Sequence, residues 1–120
     1  TDLLKKVNMP MPKTIDEFEK VLAAFKDSNP TGNGTLPLVT DLEGLKYGLM
    51  AAFTEYGFSN FMDKDGKVKP YEYDPGFKDF LTKMNEWYKK GYIFNESFST
   101  KLPQLNTLVK QNKVGATAYN

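Results

Sequence analysis

The segment from Asp74 to Gly91 constrains the fold most, because both ends of a helix are marked in it. Asp74 is a favoured N-cap, Pro75 suits the first helical position, and Gly91 suits the residue that follows a helix. Between these residues, large apolar side chains recur at helical spacing, which predicts a helix with one buried face. The apolar residues are Phe77, Phe80, Leu81, Met84, Trp87 and Tyr88. We expect this helix to contribute most to the core.

The rest of the chain predicts about four helices in all, with two or three short strands. A capping box at Thr14 and Glu17 opens the first full helix. Pro37 restricts its strand to a sheet edge or to a strand start. The other predicted elements are a strand over 36–40, a helix capped by Thr40 or Asp41 with apolar positions at Leu42, Leu45, Leu49 and Phe53, a hairpin of 61–62 with 68–69, a helix around 105–109 and a strand over 114–119.

Composition excludes several kinds of function. The 120 residues contain no Cys and no His, which removes the usual zinc ligands and the commonest general base. All sixteen cationic residues are Lys, and fifteen acidic residues nearly balance them. A nucleic-acid-binding domain usually has a clustered basic face and uses Arg. We therefore expect no nucleic-acid partner and no cofactor.

Five landmarks, in this order, resemble the extracellular solute-binding proteins of ABC importers, of the maltose-binding type and the Gram-positive lipoprotein branch. Each landmark alone is an ordinary cap, turn or helix end, and the order is what carries the resemblance. The landmarks are the helix entry at 11–18, the Gly-rich loop at 29–34, the turn at 65–68, the helix end at 87–93 and the strand entry at 108–116.

The resemblance implies an α/β fold of the periplasmic-binding-protein-like type II class, with two lobes that close around a ligand. Residues 1–120 would then be part of the C-terminal lobe, without the first lobe and the rest of the second. The implied function is non-catalytic capture of a solute, a mono- or oligosaccharide, for the membrane subunits of an ABC importer. The implied location is extracellular, with the full-length protein anchored to the membrane as a lipoprotein.

In some members of the family that the chain resembles, the loop that corresponds to 27–34 carries oxygen ligands at the spacing of a calcium-binding loop. Here Asn29, Thr31 and Asn33 occupy the first three ligand positions, and Asp27 is the one nearby carboxylate. Calcium sites need several oxygens, including carboxylates. The pair Asp63 and Asp65 is explained by the hairpin turn. We therefore predict no metal site.

Candidate ligand-binding residues lie in two places, where helices follow strands and where the final strand ends. Ligand sites in open α/β lobes lie at the carboxyl ends of strands and between domains. Asp41 and Glu43 could accept hydrogen bonds from ligand hydroxyls, and Tyr47 could stack on a sugar ring. Tyr119 and Asn120 end the last predicted strand.

Two alternative functions stay open at this point. A helical protein-interaction module would use exposed aromatic side chains to bind a partner. A glycoside hydrolase fragment would need two carboxylates, and Asp41 with Glu43, or Glu72 with Asp74, supply such pairs. Pairs at this spacing are common by chance, so we predict that the protein is not an enzyme.

Overall fold

Helices dominate the structure, a computed structural model that describes residues 2–55, 57 and 59–118. The α-helices are α1 (Asp2–Lys6), α2 (Ile15–Ser28), α3 (Leu42–Gly44), α4 (Pro75–Lys89) and α5 (Leu102–Lys110). α3 continues into a π-helical turn (Leu45–Leu49) and a 3₁₀ turn (Met50–Ala52), and a further 3₁₀ turn covers Tyr71–Tyr73. The strands are β1 (Leu36–Thr40), β2 (Phe61–Met62), β3 (Val68–Lys69) and β4 (Val114–Ala118). None of the described helices combines the length and the apolar character needed to span a membrane.

The sheet places β1 between two parallel neighbours. β1 pairs with β4 in a register that sets Leu36 opposite Val114 and Thr40 opposite Ala118. On its other side, Leu38 forms a parallel bridge to Ile93. Pro37 is therefore the second residue of a central strand, so its predicted place near a strand start is confirmed and an edge position is not.

β2 and β3 form an antiparallel hairpin, with Phe61 opposite Lys69 and Met62 opposite Val68. Gly66 has a φ of 76°, as a residue in the left-handed region of a tight turn requires. The predicted hairpin is confirmed. With both arms counted, the described residues contain four short strands, one more than the highest number expected.

α4 begins and ends where its sequence signals predict. The Asp74 side chain accepts a hydrogen bond from the Gly76 amide at 2.9 Å, and Gly91 has a φ of 75°. Its buried face is narrower than the predicted stripe. Phe80, Met84 and Trp87 are buried, whereas Leu81 is 50% exposed and Tyr88 is 43% exposed. The periodicity therefore located the face correctly and overestimated its width.

α2 packs against α4 and is opened by a variant of the predicted capping box. Thr14 Oγ1 accepts from the Glu17 amide at 3.2 Å, but the Glu17 carboxylate accepts from the Lys13 amide at 2.7 Å instead of that of Thr14. The Phe18 and Trp87 ring centroids lie 5.8 Å apart across the two helices. Burial of these rings joins α2 and α4 into one core.

A charged cluster also connects these two helices. The Glu19 carboxylate is 3.1 Å from Lys83 Nζ on α4 and 3.1 Å from Lys90 Nζ at its end. Burial acts to raise the pKa of Glu19, but the hydrogen bonds and charges of Lys90 and Lys83 outweigh it and leave that pKa below its ordinary value. The same pairing raises the pKa of Lys90 above its ordinary value.

The helix predicted from Leu42 to Phe53 is irregular. A π-helical turn bonds each residue to the fifth one along, so it rotates the face that points inward. Leu45 and Met50, five residues apart, are buried, whereas Leu42 is 63% exposed. The prediction that Leu42 belongs to the buried stripe is therefore wrong, and the five-residue spacing of the π turn brings Met50 into the core.

Candidate functional site

The carboxyl ends of β1 and β4 meet at one edge of the sheet. Thr40 is completely buried, and its hydroxyl donates to the Ala118 carbonyl at 2.6 Å. These two residues are 78 positions apart in the chain. The carboxyl ends of the two strands therefore lie side by side, at the edge where ligands bind in open α/β lobes.

Asp41 follows β1 directly and caps the first turn of α3. Its backbone is extended (φ −111°), and its Oδ1 accepts from the Gly44 amide at 2.6 Å. The side chain is half-buried. One oxygen of the predicted ligand-binding carboxylate is therefore engaged in holding the turn, and Asp41 was correctly predicted as a cap.

Gly44 lies so close to the ends of β1 and β4 that there is no room for a side chain at this position. A Cβ atom at this position would lie 1.8 Å from the Ala118 carbonyl oxygen and 2.4 Å from Thr40 Oγ1. Real Cβ atoms do not approach backbone oxygens this closely, so a side chain here would separate α3 from β4. Sequence reasoning missed Gly44, and its one sequence signal is a glycine early in a predicted helix.

Glu43 and Tyr47 are exposed and lie four positions apart, which places them on one face of a helical segment. Tyr47 is 36% exposed, and Lys46 Nζ lies 5.7 Å from the centroid of its ring. The same ammonium lies 5.4 Å from the ring centroid of Tyr71. Lys46 therefore adds a positive charge between two tyrosines, a feature that no sequence pattern indicated.

A cavity of about 310 Å³ opens beside Glu43. Its walls include Leu42, Phe77, Leu81 and Phe98, with Glu43 and Lys46 as the charged residues of the lining. An apolar cavity suits apolar atoms better than the hydroxyls of a sugar. The predicted site residue Glu43 therefore supplies a charged group to a pocket that is itself mostly apolar.

Two predicted site residues, Tyr119 and Asn120, lie outside the described residues, as do Tyr56 and Phe58 among the aromatic side chains. Ala118, the residue before Tyr119, places its carbonyl at the edge beside Thr40. Among the described residues, no group of three or more Asp, Glu, His or Cys side chains could hold a metal ion. The absence of a metal site stays a prediction.

Comparison with known proteins gives a consistent set of relatives, although no protein-family model matches the chain. Lipoprotein LipO of Bacillus subtilis is 32% identical over 127 residues, which cover 96% of this chain and 24% of LipO. The fructooligosaccharide ABC transporter substrate-binding protein FusA of Streptococcus pneumoniae is 31% identical over 105 residues, which cover 81% of this chain and 20% of FusA.

Solved structures agree with these relatives. An EF-hand mutant of FusA in complex with fructo-nystose superposes with a TM-score of 0.75 at 27% identity, over 96% of this chain and 25% of FusA. The alginate-binding protein AlgQ2, in a structure without calcium ion, gives a TM-score of 0.76 at 29% identity, over 97% of this chain and 25% of AlgQ2.

These proteins share the periplasmic-binding-protein-like type II fold, so the predicted α/β fold class is confirmed. The chain spans about a quarter of the length of LipO and a fifth of that of FusA. The relatives are binding proteins and not enzymes. The resemblance predicted from the five landmarks is confirmed, and the chain belongs to the substrate-binding-protein family of ABC transporters, matching one part of its longer members.

Proposed function

We propose that the full-length protein captures a carbohydrate outside the cytoplasm and delivers it to the membrane subunits of an ABC importer. Two findings support the proposal. FusA, a relative that covers most of the chain, is named for fructooligosaccharide binding in ABC transport, and AlgQ2 is named for alginate binding. Binding is non-covalent, and no residue acts as a catalyst.

The observation that carries this proposal is the meeting of the β1 and β4 ends at Thr40 and Ala118. We assign the ligand contacts at this edge to the Glu43 carboxylate and the Tyr47 ring, and we propose that Tyr119 and Asn120, which follow Ala118 in the sequence, contribute as well. Asp41 would contribute its second carboxylate oxygen while the first holds the Gly44 amide. Tyrosine offers a sugar both a flat apolar face and a hydroxyl.

Residues 1–120 form part of the second lobe in this proposal. Capture requires a first lobe on the other side of the ligand, because a hinged protein closes only when the ligand contacts both lobes. LipO, which is named as a lipoprotein, supports anchoring of the full-length protein to the outer face of the membrane. The proposal therefore assigns this chain one wall of an interlobe cleft.

Calorimetric titration of the full-length protein tests the proposal. Kestose, fructo-nystose and alginate oligosaccharides are suitable probes, and we expect one class to bind with a Kd of about 1 μM or lower, or roughly −8 kcal/mol. Residues 1–120 alone should show no binding in this range, since half a cleft cannot enclose the ligand. Micromolar binding by residues 1–120 alone would contradict the lobe assignment.

Site variants test the assignment of residues. Glu43→Gln and Tyr47→Ala should each weaken binding about tenfold, the loss of one charge-assisted hydrogen bond or one stacking contact. Tyr73→Ala is the matched control, because Tyr73 is 69% exposed on a separate 3₁₀ turn. If Tyr73→Ala weakens binding as much as Tyr47→Ala, the proposed edge is not the site.

A protein-interaction module is the second candidate, favoured by the apolar cavity beside Glu43 and by Phe98, which is 53% exposed at its wall. The same titrations separate the two candidates. A full-length protein that binds no member of the carbohydrate panel favours the interaction module. A glycosidase would in addition release product from the bound sugar, which chromatography of the incubated ligand detects.

A further inference from the structure

The loop that follows α2 is closed by one amide side chain. Asn29 has a left-handed backbone, with a φ of 44°. Its Oδ1 accepts hydrogen bonds from the Gly34 amide (3.1 Å), the Thr35 amide (2.8 Å) and the Thr35 hydroxyl (3.0 Å). Its backbone carbonyl accepts from the Gly32 amide at 2.9 Å. A single residue therefore holds both ends of the turn over 29–35, here called the 29–35 loop.

Two threonine hydroxyls complete this network. Thr35 Oγ1 gives its single proton to Asn29, so it must accept from the Thr31 amide at 3.2 Å and from the Thr31 hydroxyl at 2.8 Å. The Thr31 oxygen in turn accepts from the Asn33 amide at 3.4 Å. Each side-chain oxygen of Asn29, Thr31 and Thr35 is thus engaged within the loop.

A lysine contacts the loop from outside. Lys6 Nζ, at the end of α1, donates to the Pro30 carbonyl at 3.0 Å. This ammonium adds a positive charge to a backbone oxygen of the turn. A divalent cation in the loop would be repelled by it, although exposure to solvent weakens the repulsion.

The oxygen atoms of the loop do not suit calcium as ligands. Calcium is the ion to consider because the family resemblance compares this loop with a calcium loop and because AlgQ2 was solved in a structure without calcium ion. Calcium takes roughly six to eight oxygen ligands, with carboxylates among them. Residues 29–35 contain no carboxylate, and each of their side-chain oxygens named above already makes hydrogen bonds. A calcium ion would have to break several of these hydrogen bonds, and residues 29–35 would offer it no charged ligand.

We propose that the 29–35 loop has replaced divalent-cation binding with an internal hydrogen-bond network centred on Asn29, so that its shape is independent of calcium. The amide oxygen of Asn29 gathers the two backbone amides and the hydroxyl that close the turn. Lys6 contributes a cation from the chain itself. The inference does not rest on carbohydrate binding, since the shape of the loop is measured without a sugar.

Hydrogen exchange of the full-length protein tests this inference directly. The amides of Gly34 and Thr35 report on the loop, because both donate to Asn29 Oδ1. We expect their protection to be equal in EDTA and in about 1 mM calcium, since a ligand stabilises only a state that it binds. Protection that appears only with calcium would overturn the inference.

Substitution of Asn29 tests the network itself. Asn29→Gly removes the amide oxygen and keeps a residue that tolerates a positive φ. Hydrogen exchange at the amides of Gly34 and Thr35 should become about tenfold faster, and calcium should not restore their protection. Asn33→Ala is the matched control in the same loop, because the hydrogen bond from Asn33 to Thr31 Oγ1 is made by its backbone amide.

Thr35→Val provides a second variant of nearly the same shape without the hydroxyl. It should speed exchange at the Thr31 amide, which donates to Thr35 Oγ1. Unchanged exchange in both Asn29→Gly and Thr35→Val, or calcium-restored protection in either, would show that the network does not hold the loop.

Discussion

α4 and the helical segment over 42–52 both begin at an aspartate cap, yet only α4 continues as a regular helix. α4 has its apolar stripe, its cap and its terminal glycine within its own sequence. The 42–52 segment passes through α, π and 3₁₀ turns, and its Gly44 lies against the Ala118 carbonyl of a distant strand. Local signals thus account for the core helix, whereas the helix that carries Glu43 and Tyr47 also makes a close tertiary contact.

The largest expected effect concerns Trp87, which is fully buried on α4. Trp87→Ala should lower the free energy of unfolding by about 3–5 kcal/mol, because it removes a large buried ring and leaves a cavity. Urea denaturation followed by circular dichroism measures this loss. Tyr88→Ala, one residue further along and 43% exposed, should cost less than about 1 kcal/mol. An equal loss of unfolding free energy in the two variants would show that the buried face of α4 does not form the main part of the core.

The variant Gly44→Ala tests the contact between the irregular helical segment and the end of β4. The added Cβ would collide with the Ala118 carbonyl and Thr40 Oγ1, so the free energy of unfolding should fall by about 2–3 kcal/mol, as forced overpacking does. The same denaturation experiment applies. Gly48→Ala is the control, since its Cβ would lie 3.2 Å from the Ala118 Cβ and would need a far smaller shift. A Gly44→Ala protein as stable as the Gly48→Ala protein would show that the contact of Gly44 with β4 does not constrain this segment.

The two caps allow a direct comparison. The Asp74 side chain accepts from the Gly76 amide at 2.9 Å and from the Glu55 amide at 3.1 Å, whereas the Asp41 side chain accepts from the Gly44 amide at 2.6 Å. Asp74→Ala should therefore cost up to about 2 kcal/mol and Asp41→Ala about 1 kcal/mol. Thermal unfolding of both variants measures the difference. Asp74→Asn keeps an acceptor of equal capping strength, so stability lost equally in this variant would exclude capping as the cause.

The smallest expected effect is the pH dependence contributed by Glu19. Because the pKa of Glu19 in the folded protein lies below its ordinary value, its stabilisation is present above that ordinary value and is lost as the pH falls through the lower folded pKa. Glu19→Gln should cost less than about 1 kcal/mol at pH 7. The difference from the wild type should disappear in acid, as urea titrations at several pH values would show.

Asp79→Asn is the matched control for that series, because Asp79 is an exposed carboxylate on the same helix that Glu19 contacts. It should change stability little at any pH. A pH-independent loss in Glu19→Gln would mean that packing, and not the charges of Lys83 and Lys90, joins α2 to α4 at this point.

How much the sequence predicts depends on the range of the contacts involved. The caps of α2 and α4, the hairpin turn at Gly66 and the cap at Asp41 were predictable, because each is made by residues within a few positions of one another. The register of β1 with β4 was not, since no local pattern links Thr40 with Ala118. The exposure of Leu42 could not be foreseen either, because apolar spacing alone does not show which positions of the segment face the core.

The candidate site also contains both residues that local sequence signals predict and residues that depend on distant contacts. Asp41, Glu43 and Tyr47 follow a strand, and that placement was readable from the order of elements. Lys46 was not, because its position between the rings of Tyr47 and Tyr71 depends on a turn that lies 25 residues further along the chain.

The hydrogen bond from Thr40 to Ala118 also has a consequence for biosynthesis. During synthesis, α2 and β1 leave the ribosome before β4, so the hydroxyl of Thr40 can bond to the Ala118 carbonyl only after 78 further residues have been made. Helix pairing can proceed early, but contacts of high sequence separation form late and slowly. The edge formed by β1 and β4 would then be the final part of this region to mature, and a polypeptide interrupted before β4 would have a partial core without the edge at which we propose that the ligand binds.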